Sequence, residues 1–139
     1  MISVNSVRGA CNFLTIQDPR GVEAISDLIW HKQVPLKVSV LAWRLIHNRL
    51  AIKDNLVTCN IISHDSQFCV SGWSGLEITH HLFHSFPVFV PLWCVVRSWI
   101  GIFSADPDLV HDHLVQFIHS SGGLWVRRSF LQLIWLCCI

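Results

Sequence analysis

Between Cys69 and Trp93 the chain reads CVSGWSGLEITHHLFHSFPVFVPLW, the layout of a small metal knuckle. A cysteine precedes a glycine-containing turn, a short polar segment leads to His80, His81 and His84, and an apolar run with Pro87 and Pro91 follows. A closed structural zinc site takes four Cys or His ligands, typically with two cysteines spaced C-x2–4-C at the turn. Here Gly72 or Trp73 stands where the second thiolate belongs, and Phe86 stands where the fourth ligand belongs. The stretch therefore needs either substitute ligands or packing in place of the metal, and the rest of the chain reads as scaffold around it.

The 139 residues suit one domain with a real core. Hydrophobic residues make up 52% and charged residues 14%, against a usual charged share of about 25%. So apolar a chain suggests a piece that docks on something else. Net charge is +1 and the ten Lys and Arg are scattered, with only Arg127 and Arg128 adjacent, so the chain as a whole has no strong electrostatic footprint for nucleic acid. The six cysteines follow no apolar signal segment, since the first ten residues read MISVNSVRGA; reduced thiols and an intracellular setting are expected. The most membrane-like window, Phe86 to Phe103, is interrupted by Pro87, Pro91 and Arg97, so a spanning helix is not expected.

Read in order, the chain predicts a mainly α, small helical domain with one irregular loop, the degenerate zinc knuckle. Residues 2–15 alternate weakly and give way to a turn at Gln17-Asp18-Pro19-Arg20-Gly21. A short amphipathic piece covers 22–30, and Pro35 opens a central helix with Leu36, Val38, Val40, Leu41, Trp43, Leu45 and Ile46 at helical spacing. Lys37, Arg44, Asn48 and Arg49 form its wet side. A second short helix starts near Lys53 and stops at Asn60 or shortly after. A helix over 76–85 follows, with Ser74 as N-cap and Glu77 completing a capping box. Val88, Leu92, Val95, Val96 and Trp99 predict a buried helix stopped by Gly101. A more polar helix over 109–119 ends at Gly122-Gly123, and a last one over 124–139 stops on apolar residues as though cut.

Several blocks point to one family. They are Ser6-Val7-Arg8-Gly9-Ala10, Ile29-Trp30, Val34-Pro35, Lys37-Val38, Trp43-Arg44-Leu45, Arg49-Leu50, Asp54-Asn55-Leu56, Cys69, Glu77, His81-Leu82-Phe83, Trp93 and Trp99-Ile100-Gly101. In order and spacing the chain resembles the zinc-binding domain that follows the reverse transcriptase in plant non-LTR (LINE-type) retrotransposons. The resemblance spans nearly all of 1–139, with its best-matching core at 26–103. Of the four ligands the family implies, three Cys and one His, only Cys69 and His81 are present. Cys11 stands where a Tyr is usual and Ala51-Ile52 where Pro-Thr is usual, a scatter that looks like unselected mutation in a transposon remnant.

The resemblance implies zinc as the family's cofactor and nucleic acid as its partner. In this chain two donors do not close a site, so zinc is not expected to be held. His80 and His84 are the available substitutes, since i, i+4 side chains share a helix face. The simpler reading makes them boundary histidines and Cys69 a small buried hydrophobe. Zinc supplies on the order of 10 kcal/mol to small metallo-domains, so its loss leaves the knuckle loose unless Trp73 and Phe86 plug the gap. Phosphate contacts would come from Lys32, Lys37, Arg44, Arg49 and Lys53, with little sequence information.

No polymerase, endonuclease or RNase H carboxylate cluster is present, nor any nucleophile elbow, P-loop or H-E-x-x-H, so a non-catalytic remnant without a small-molecule substrate is expected. His111-Asp112-His113 reads as a solvated face, because i and i+2 point apart on a helix. The Trp43/Leu45/Ile46 and Val95/Val96/Trp99 stripes read as core. The alternative function is a metal-free helical interaction module without a nucleic-acid role, self-associating through an exposed apolar end at Leu131 to Ile139.

Overall fold

The computed structural model describes residues 22–71, 75–103, 106–120, 122 and 125–139. The Ser6–Ala10 block, the turn at 17–21, Gly72, Trp73 and the expected cap Ser74 lie outside these residues. Among the described residues the chain is mainly helical and has no strand, only an isolated antiparallel bridge between Phe68 and Leu76. The helices are α1 (Val22–Ile29), α2 (Leu36–Ile46), α3 (Lys53–Thr58), α4 (Phe89–Ile100), α5 (Val110–His119) and α6 (Trp125–Cys138), with a π-helical turn over His81–Ser85. No described helix is long and apolar enough to cross a membrane.

Local chemistry sets most of these boundaries. Pro35 sits at φ −56°, just before α2, where its missing N–H costs nothing. Three helices end in the same double-bonded turn. At the end of α2, Asn48 takes φ +50° and donates to Leu45 O, while Arg49 N donates to Arg44 O. Asn60 (φ +56°) ends α3 in the same way with Ile61, and Gly101 (φ +73°) ends α4 with Ile102. Asn and Gly are the residues that tolerate this left-handed position.

The core is built around α2, α5 and α6. Leu45 and Ala42 of α2 meet Leu114, Phe117 and Ile118 of α5 and Leu131, Trp135 and Leu136 of α6, and α1 adds Ile29. Trp43 and Ile46 pack against the edge of this cluster, as the spacing on α2 predicts. Gln132 Nε2 donates to Asp27 O at 3.3 Å, and His31 Nε2 lies 2.8 Å from Ser129 Oγ, so polar bonds as well as packing tie α6 to the α1 region.

Five expectations are corrected. The helix over 76–85 is absent as drawn: Leu76 is in the bridge to Phe68, and helical backbone begins only at Thr79. Glu77 caps a different helix, because its carboxylate accepts from Lys53 N (3.3 Å) and its carbonyl from Asp54 N (3.4 Å) at the start of α3. On α4 the inward residues are Phe89, Trp93, Val96 and Ile100, whereas Val88, Leu92, Val95 and Trp99 are exposed. Of the expected stripe only Val96 is inward, and the rest is offset by one residue, about 100° of helix rotation. His113 does not belong to a solvated face but is buried. The apolar end of α6 is not exposed either: Leu131, Trp135 and Leu136 are core, and the exposed apolar residues of that helix are Trp125, Val126 and Phe130 near its start.

Candidate functional site

The knuckle segment is held by its two flanks to the α2–α3 junction. Asn55, buried in the first turn of α3, donates its side-chain amide to Asn48 O (2.9 Å) and Leu50 O (2.7 Å). Thr79 Oγ1 donates to Asn48 Oδ1 at 2.7 Å, so the residue just before the histidines is tied to the end of α2. Lys53 Nζ donates to Phe68 O (2.6 Å) and lies 3.5 Å from Glu77 Oε2, which fastens the residue preceding Cys69. None of these roles was assigned from the sequence. The Asp54-Asn55-Leu56 block and the asparagine after the last apolar residue of α2 were the signals available.

Cys69 and His81 both border Gly75. Cys69 N donates to Gly75 O at 2.9 Å, and a Cβ at Gly75 would lie 3.2 Å from the His81 ring. His81 Nε2 is buried and has no hydrogen-bond partner among the described residues, and the same is true of both ring nitrogens of His84. Cys69 Sγ instead lies 2.9 Å from Ser71 Oγ. Phe86 sets its ring edge-on to His81, with centroids 6.1 Å apart. Among the described residues no three Cys, His, Asp or Glu side chains converge on one point. Two donors are half of a closed tetrahedral site.

His80 and His84 are drawn elsewhere. Their rings stack at 5.4 Å, and His84 is buried against Trp93 (5.9 Å, stacked) and edge-on to His113 (4.2 Å). The π-helical turn and α4 pack together, and Trp93 Nε1 donates to Phe83 O at 3.0 Å. This is an interior imidazole cluster. His113 Nδ1 accepts from Trp135 Nε1 at 3.0 Å, and its Nε2 lies 3.2 Å from Arg97 Nη2. Arg97 is in turn paired with Asp106. Desolvation first, then His80 and Arg97, push His84 down to about 4 against a partial counter-effect of Asp106. Desolvation, His84 and Arg97 push His113 down to about 3. The Arg97 hydrogen bond lowers the Asp106 carboxyl. Both rings are neutral near pH 7.

The candidate phosphate-contacting residues fall into two groups. Lys32, Lys37 and Arg44 are exposed, and the last two are seven residues apart on α2, about 10 Å along one face. Arg49 lies over the Trp43 ring at 5.7 Å, and Trp43 stacks on His47 at 4.6 Å. Lys53 is occupied by Phe68 O and Glu77. Beside Arg49 a cleft of about 480 Å³ opens between the end of α2, the start of α5 and the segment before the π-helical turn, lined by His47, Asp54, His80, Asp108 and His111 above Ile25 and Ile46.

Among known families, the model described as zinc-binding in reverse transcriptase matches residues 6–93. No curated protein and no solved structure matches the chain.

Proposed function

The chain belongs to the family of zinc-binding domains in reverse transcriptase, and on that premise we propose that it is a non-catalytic, nucleic-acid-associated domain with a reduced zinc knuckle. The observation that carries the reading is the extent of the match, which runs through α2 and α3 and takes in both Cys69 and His81 before ending at Trp93. We assign residues 1–139 to one such domain, with 26–103 as its core, descended from a plant non-LTR element of LINE type.

Lys37, Arg44 and Lys32 supply the phosphate contacts. Arg49, held over the Trp43 ring at the end of α2, adds a further cation for phosphate contact. Lys53 contributes least, because its ammonium is already engaged. Were zinc bound, Cys69 and His81 would hold it, and the metal would supply a structural crosslink across the Gly75 loop. Phe86, on the ring of His81, takes up the volume beside that loop instead.

Two measurements test the reading. A gel shift with single-stranded RNA at low and moderate salt is expected to show binding that weakens as salt rises; no shift at low salt would end the nucleic-acid assignment. Elemental analysis of protein purified without chelator and dialysed against trace zinc is expected to give well under one zinc per chain. A value near one would overturn the reduced knuckle and place His80 or His84 in the position of a lost cysteine.

A further inference from the structure

Helix α4 is apolar on two neighbouring faces, and only one of them is covered. Phe89, Trp93, Val96 and Ile100 meet the core, while Val88, Val95 and Trp99 are exposed at 65%, 66% and 71%. A helix apolar all round is ordinarily a buried helix. The uncovered face does not stop at α4. Trp99 packs against Phe130 of α6 at 6.3 Å between ring centroids, and Val126, one turn before Phe130 on the same side, is 75% exposed. Leu92 completes the row on α4.

We propose that this band is the contact surface between two copies of this chain. Two observations favour a second copy. Between Val88 and Trp99 the sequence holds one charged residue, Arg97, and it is turned inward to Asp106 and His113. The α4 row therefore carries no outward charge of its own, while Arg127 and Arg128, exposed next to Val126 on α6, supply the charged rim that borders an apolar patch shared by two copies. The area also fits. With a full aromatic side chain presenting about 150–250 Å², the six residues leave roughly 650 Å² uncovered, above the roughly 300–600 Å² of a typical monomer's largest patch. A standard interface takes about 800 Å² from each partner, and the band alone approaches that size. The inference goes beyond the nucleic-acid reading and uses none of its residues.

Sedimentation equilibrium of the full chain between about 1 and 100 µM tests it, a range in which micromolar affinities are resolved. The expected result is a mass that levels off at twice 15.9 kDa. The double substitution Val95→Glu/Trp99→Glu is expected to raise the dissociation constant by about 30-fold or more, the effect of losing a central aromatic anchor. Its helical circular dichroism should stay unchanged. Ile61→Glu, at an exposed apolar residue away from the band, leaves the dimer intact. If the double variant loses helicity, Val95→Lys alone carries the test in the same direction. A monomer at the highest concentration overturns the proposal. So does a mass that climbs without levelling off, or a dimer indifferent to the α4 substitutions.

Discussion

The indole N–H of Trp135 donates to Nδ1 of His113 across 3.0 Å, with both residues sealed from solvent. An indole nitrogen can only donate, so Nδ1 accepts from Trp135, which leaves Nε2 as the ring's other polar edge. That edge faces the Arg97 guanidinium at 3.2 Å, so a second proton would put two positive charges together in the interior. The same ring touches His84, Trp93 and Phe117, which makes it the polar centre of an aromatic cluster.

The first prediction concerns pH. In the folded chain His84 and His113 titrate near about 4 and about 3, below the ordinary histidine value of 6.5. As pH falls, the unfolded chain therefore takes up protons first, and stability drops. The contribution is intact above about pH 6.5 and is lost as pH descends toward about 4 for His84 and about 3 for His113. The slope is at most about 1.4 kcal/mol per pH unit for each ring. Urea unfolding at stepped pH between about 7.5 and 4.5 measures it; a flat profile there would sink the neutral-cluster assignment.

Trp135→Phe keeps most of the ring volume and removes the N–H. His113 Nδ1 then has no donor in a closed interior, at a cost of about 1–3 kcal/mol. Urea unfolding near pH 7 reads the loss directly. A change below about 0.5 kcal/mol, the scale of an ordinary surface substitution, would show that the bond contributes nothing to stability.

Asn55→Ala deletes the amide that binds Asn48 O and Leu50 O. The expected cost is about 2 kcal/mol, the loss of two part-buried hydrogen bonds at about 1 kcal/mol each. Thr79→Ala, which loses one exposed bond to Asn48, is expected to cost about half a unit to one of the same scale. Amide exchange should also quicken at residues 48–55 in the Asn55 variant. Equal effects from the two substitutions would remove Asn55 from its place as the junction's anchor.

The one-residue offset on α4 has its own test. Trp93→Ala opens the core and is expected to cost about 3–5 kcal/mol. Trp99→Ala removes an exposed ring, and in dilute solution it should cost well under that, near the about 0.5 kcal/mol of a surface change. Thermal melts of both variants decide it; a reversal would mean that the sequence-based stripe was the buried one after all.

Most helices and their ends were legible because they depend on neighbours along the chain, the expected helix over 76–85 being the exception. Pro35 before α2, the left-handed Asn60 after α3 and Gly101 after α4 each act within one turn, and the apolar spacing on α2 picks out Leu45 without knowledge of what covers it.

Other features belong to the tertiary structure. Val88/Leu92/Val95/Trp99 and Phe89/Trp93/Val96/Ile100 are equally periodic and equally apolar, so spacing cannot choose between them. The choice is made by α5 and α6, whose Phe117 and Trp135 meet Trp93. Glu77 had the spacing of a cap for its own helix, yet it serves α3 because the Phe68–Leu76 bridge brings the two segments together. His113 looked like part of a polar face until Trp135 supplied a donor for its nitrogen. Local signals set most of the helices and their ends, because backbone hydrogen bonding and φ preference act over a few residues. Which face is buried and which polar group finds a partner depends on residues far away in the chain, and only the packed structure brings them together.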